Sequence, residues 1–298
     1  MTALAAEIET RLSDIQRDDL VARIEQDGFA VLPGKLPEDL MAENLSALDR
    51  MAERIRKERM SSSTQRSVKL QNCVDHDPAF RKLMLYTPAL QLCYDFFGPM
   101  FHLNQSNFIS RPRDPGQKVD SVSAIGWHAD GPRPGLFPRV NGMMGMHYLK
   151  FGYFLTDLTH GNGGSLMVVR GSHKRDELDG KGANFRAEDY QKDLVKFDCE
   201  AGTVVAFHQA LWHAAPLNES EIERKNFYLS YCPTWMRPVD RDFPTMEQLA
   251  GLTDEERWLM GEPRPALRWW LPSPDDVKRM DRFKRDGVKQ EKKFINYD

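Results

Sequence analysis

From about residue 99 the chain breaks into short apolar or alternating runs separated by Gly, Pro, Asn and Asp, and this texture constrains the fold more than any other feature. Examples are FHLNQSNFIS (101–110), SAIGWHAD (123–130), YLKFGYFLTDL (148–158), GSLMVVRGS (164–172), TVVAFHQALW (203–212) and KNFYLSYCPTW (225–235). Side chains on a strand alternate between faces, and many short strands punctuated by turns build a sandwich or barrel. The expected fold is mainly β with flanking helices.

The rest of the chain supplies those helices. Residues 2–27 carry Leu4, Ile8, Leu12, Ile15 and Leu20 near helical spacing and stop at Asp27-Gly28. Phe29 to Pro33 reads as a short strand. Residues 37–60 form a second helical stretch, with proline near its start and basic residues near its end. Residues 77–98 read as a third, and beyond about 240 the chain is helical or irregular. We therefore expect one domain over 1–298: a mostly helical part (1–98), a barrel core (99–240) and a C-terminal extension (241–298). A chain of 298 residues that is 41% hydrophobic supports one large core.

Charge and cysteine usage narrow the class further. A net charge of −3 offers no basic face to nucleic acid. No apolar run is long enough for a membrane span, and the first twenty residues lack the apolar stretch of a signal peptide. Cys73, Cys93, Cys199 and Cys232 are scattered with no CxxC, the usage of reduced thiols in the cytoplasm. The expected partner is a small molecule, and no feature specifies an oligomeric state.

Chemistry enters at Gly126-Trp127-His128-Ala129-Asp130. On a strand, residues two apart share a face, so His128 and Asp130 would point into one cavity. An imidazole nitrogen and a carboxylate oxygen suit a divalent metal, and two histidines with one carboxylate form the facial triad of non-haem iron(II) oxygenases. His-x-Asp alone is weak evidence in a chain with eight histidines. A third ligand has two candidates, His208 and His213. The small residues Ala214 and Ala215 after His213 leave room for metal and cosubstrate and favour it; His208 reads as an orienting or structural histidine. Arg224, eleven residues beyond His213, stands where a returning strand would bring a guanidinium back to the metal to grip a dicarboxylate.

These pieces resemble the phytanoyl-CoA dioxygenase family of Fe(II)/2-oxoglutarate-dependent oxygenases, over most of residues 18–236. Asp27-Gly28-Phe29-Ala30-Val31-Leu32-Pro33 is similar to the family's N-terminal strand, and Trp127-His128-Ala129-Asp130 to its WHxD. Asn162-Gly163-Gly164-Ser165-Leu166 with Gly171-Ser172-His173-Lys174 resembles the segment that follows, although Arg170 replaces the usual proline. The strand through Phe207-His208 with Trp212-His213, and the step to Arg224, complete the order.

The resemblance implies a double-stranded β-helix, a jelly-roll or cupin-like core. It implies Fe(II) on His128, Asp130 and His213, with 2-oxoglutarate and O2 as cosubstrates and Arg224 on the far carboxylate. Gln105 and Asn226 are further cosubstrate candidates. The implied reaction oxidises a C–H bond of a small, largely apolar molecule and releases succinate and CO2. A carboxylate at 130 disfavours halogenation. Trp127, Met146, Phe154, Tyr228 and Trp235 are candidates for the substrate pocket, and residues 131–149 for an adaptable cover. Two alternatives stand beside this reading: a cupin-like metalloenzyme that does not use 2-oxoglutarate, and a non-catalytic binding module on the same fold.

Overall fold

The structure, a computed structural model, describes residues 11–59, 67–114, 126–130, 139–140, 143–175, 187–265 and 273–286. Helix α1 (Asp14–Asp27) begins later than its periodicity predicts. Ser13 accepts from the Gln16 N–H while the Gln16 side chain accepts from the Ser13 N–H, a capping box that starts the helix there. Residues 2–10 of the expected helix lie outside the described residues. Gly28 ends α1 at φ +88°, where a Cβ would also lie 2.5 Å from Leu211 Cδ1. Helix α2 (Glu38–Arg59) matches the second stretch. The third expected helix is two, α3 (Pro78–Met84) and α4 (Thr87–Phe97). Pro88 has no N–H to bond back to a preceding turn, so it fits only the first turn of a helix that starts afresh.

The core is a pair of antiparallel sheets. The larger runs in the order β1 (Phe29–Val31), β9 (Val204–His208), β6 (Leu149–Phe154), β11 (Arg224–Pro233), β3 (Phe101–Arg111), β2 (Val68–Gln71). Two of its strands thus come from the part expected to be mostly helical. The smaller runs β10 (His213–Ala214), β7 (Met167–Val169), β8 (Leu194–Lys196). A two-residue hairpin, β4 (Arg139–Val140) with β5 (Met143–Met144), falls in the stretch read as a cover; residues 131–138 and 141–142 of that stretch lie outside the described residues.

Register sorts the large sheet into two faces. Phe151, Tyr153, Phe227, Leu229, Tyr231 and Phe108 point one way, into a core shared with the helices. Helix α5 (Asp254–Leu259) joins that core: Trp258 is fully buried and its Nε1 donates to Phe101 O at 2.9 Å. The short helix α6 (Pro274–Met280) adds Met280, so the C-terminal extension packs into the main core. Phe154, Val205 and Phe207 point the other way, against Val168 of the smaller sheet and Leu166 just before it. This inner face, between the sheets, is where the candidate ligands converge.

Candidate metal centre

Strand β10 carries His213 on the inner face of the smaller sheet, in register with Val168. The 126–130 segment lies beside it through an isolated antiparallel bridge: His128 N donates to His213 O at 3.0 Å, and His213 N to His128 O at 2.8 Å. The bridge places the two rings side by side, centroids 4.3 Å apart, and brings Asp130 round to both. Asp130 Oδ1 lies 3.8 Å from His128 Nε2, and Oδ2 lies 3.6 Å from His213 Nε2. One ligand atom from each of the three residues falls within 4.8 Å of the others, so the set could hold a metal ion.

Backbone carbonyls orient both rings. His128 Nδ1 is 3.0 Å from Gly126 O and His213 Nδ1 is 2.8 Å from Leu211 O. A proton on each Nδ1 leaves each Nε2 lone pair free for a metal. Burial pulls His213 down to about 4 although Asp130 pushes it up, so the ring is neutral at neutral pH, as a ligand must be. Burial pushes the Asp130 carboxyl up, but Lys150, then His213 and His128, outweigh it and hold the group well below the usual carboxylate range. The cluster opens on the side of His128, whose side chain is 45% exposed against 7% for His213.

His208 does not join the set. Alternation along β9 turns Phe207 inward and His208 away, where its Nδ1 accepts from Ala210 N at 3.0 Å and its ring lies 5.0 Å from that of His173.

Strand β11 sends Arg224, Asn226, Tyr228 and Ser230 to the same inner face. Arg224 is buried, its Nη1 donates to Gly164 O, and its Nε has no partner. No described carboxylate pairs with it, and burial lowers its pKa. Gly164 makes the contact possible. At φ +73°, it has no Cβ to lie 2.7 Å from Pro216 O and 3.0 Å from Arg224 Nη1. Asn226 is buried with both side-chain polar atoms unpartnered. Buried polar groups left unpaired cost about 1–3 kcal/mol each, so this guanidinium and amide fit an absent polar ligand such as a carboxylate. Gln105 lies on the same face, in register with Ser230 just before a bulge in the pairing.

The proposed pocket residues divide. Phe154 and Tyr228 lie on the inner face, and the Tyr228 ring meets Phe207 edge-on at 6.3 Å. Trp127 does not face the cluster: one residue from His128, it points the opposite way and packs with Met167, Val169 and Trp212 behind the smaller sheet. Met146 packs against the helical core instead, and Trp235 is half exposed in the turn after β11. At the end of β3, Arg111 pairs with Asp114, and Arg113 pairs with Glu221. Sequence reasoning missed Lys150. Its side chain, 9% exposed on the inner face of β6, contacts Asp130 Oδ2, and its only signal was a lysine inside the apolar run YLKFGYFL.

The phytanoyl-CoA dioxygenase (PhyH) family model matches residues 24–226. The chain belongs to this family. Its relatives include the uncharacterised protein Rv1501 of Mycobacterium tuberculosis, 27% identical over 203 residues that cover 66% of this chain and 68% of the relative. Among solved structures, HygX from Streptomyces hygroscopicus with nickel and 2-oxoglutarate bound shares the fold at TM-score 0.56 and 21% identity, covering 74% of this chain and 88% of that one. SnoN, a non-haem α-ketoglutarate-dependent epimerase from nogalamycin biosynthesis, does so at TM-score 0.54 and 18% identity, covering 73% and 83%. As a family member the protein is an Fe(II)/2-oxoglutarate-dependent oxygenase-type enzyme acting on a small molecule, with a jelly-roll core. No described helix is long and apolar enough to cross a membrane.

Proposed function

We propose that His128, Asp130 and His213 hold the iron, and that Arg224 with Asn226 binds the far carboxylate of 2-oxoglutarate. The enzyme then oxidises a C–H bond of a small, largely apolar molecule and releases succinate and CO2. One observation carries this reading: two imidazole nitrogens and a carboxylate within 4.8 Å of one another lie between the two sheets, whose inner face also carries a buried guanidinium that has no described carboxylate partner.

The iron–2-oxoacid pair supplies the oxidising power. The protein supplies position. Leu211 O and Gly126 O fix the imidazole tautomers, and Asp130 provides the anionic ligand. Arg224, anchored on Gly164 O, sets the depth to which the diacid enters. Phe154, Phe207 and Tyr228 keep water from the inner wall, and substrate approaches from the open side of His128.

Anaerobic addition of Fe(II) and 2-oxoglutarate to metal-free protein tests the reading. A weak visible charge-transfer band is expected, absent in H213A. Metal binding without any response to 2-oxoglutarate would move the protein to cosubstrate-independent chemistry.

A further inference from the structure

Lys150 is a buried ammonium at the metal end of the cavity, and the residues around it are specific. Register sets Phe207, Lys150, Ser230 and Gln105 in one row across the inner face. The Phe207 and Tyr228 rings flank its Nζ, with centroids at 5.7 and 5.2 Å. Its one described carboxylate partner is Asp130, the same group that would bind the metal. Ser230 lies six residues beyond Arg224 on β11, a separation along the sheet of about 20 Å between backbones at ordinary strand rise. Two long cationic side chains thus stand at opposite ends of the cavity wall.

Charge balance then changes with occupancy. Without metal, Asp130 offsets Lys150. Among the described residues of the inner face, a divalent ion on Asp130 leaves two protein cations, a metal and a single carboxylate. Like charges this close disfavour the ion in a low-dielectric site, and an incoming dianion relieves the excess. We infer, on the strength of the iron and 2-oxoglutarate assignment, that Lys150 transfers its ammonium from Asp130 to the keto-acid carboxylate of the cosubstrate when metal binds. Lys150 is therefore a positioning residue that makes metal and 2-oxoacid bind cooperatively. Arg224 reads the far end of the diacid and Lys150 the metal end.

The test is binding of Mn(II) to the full metal-free chain, followed by the free-ion EPR signal, without and with 2-oxoglutarate. Pyruvate, which keeps the keto-acid end and lacks the far carboxylate, is the second probe. Wild type is expected to bind Mn(II) about tenfold or more tightly with saturating 2-oxoglutarate, the scale of one buried charge-assisted contact. K150M is expected to bind Mn(II) alone at least as well as wild type, because a competitor for Asp130 is gone. It should lose most of the coupling to both oxoacids. R224M should need roughly 10–100-fold more 2-oxoglutarate for its response and keep that to pyruvate, and K150R should retain coupling. A K150M protein, folded by circular dichroism, that binds Mn(II) alone about tenfold more weakly yet keeps the coupling makes Lys150 a strut for Asp130 and overturns the proposal. Unchanged affinities in K150M overturn it as well. A wild-type protein that binds Mn(II) with no response to 2-oxoglutarate fails the underlying assignment instead, and this shows before any variant is made.

Discussion

Arg224 and His213 illustrate how much one side chain can carry here. Arg224 is buried, with one backbone acceptor and an unpartnered Nε. R224M is expected to raise the 2-oxoglutarate dissociation constant by roughly 10–100-fold while Mn(II) binding alone is unchanged, as removal of a charge-assisted pair should; calorimetry on the metal-loaded protein measures it. His213 and His208 were rival third ligands, and they make a matched pair of variants. H213A is expected to abolish Mn(II) binding in an EPR titration and H208A to retain it, because alternation on β9 turns His208 away from the cavity.

At the scale of the element, short loops and strand ends aim these side chains. The turn through Gly164 hands its carbonyl to Arg224 and lies against Pro216 O. G164A adds a Cβ in a left-handed conformation and a crowded position. A cost of about 1–3 kcal/mol in urea denaturation is expected, together with weaker 2-oxoglutarate binding as Arg224 shifts. Helix α5 acts from the far side of the sheet. W258A removes a fully buried ring and its hydrogen bond to Phe101 O, and about 3–5 kcal/mol of stability should go with them. Period-two alternation sets Arg224, Asn226 and Tyr228 on one face, because a strand obeys that rule wherever it sits. The same rule turns Trp127, next to His128, away from the ligands and into the cluster behind the smaller sheet.

Across the whole molecule, buried histidines couple stability to pH. Burial pulls His102 and His208 down to about 3, with His173 and His147 adding to the effect at His208. Their folded values lie below the unfolded one, so the unfolded chain binds more protons in the interval between. The stability from keeping these rings neutral is therefore complete above about pH 6.5 and lost as pH falls from there toward about 3. The slope is about 1.4 kcal/mol per pH unit for each ring. Urea midpoints should be lower at about pH 5.5 than at about pH 7.5, and H208Q should narrow the difference. Sequence by itself determined the strand-rich core, the order of its motifs and the residues that could ligate a metal, because periodicity, turn chemistry and motif spacing are local properties of the chain. It could not show that β1 and β2 complete the large sheet, that Trp235 lies half exposed, or that Lys150 meets Asp130. Those depend on which strands pair and in what register. A lysine in an apolar run gains its meaning only when a carboxylate twenty residues away in the chain is folded against it.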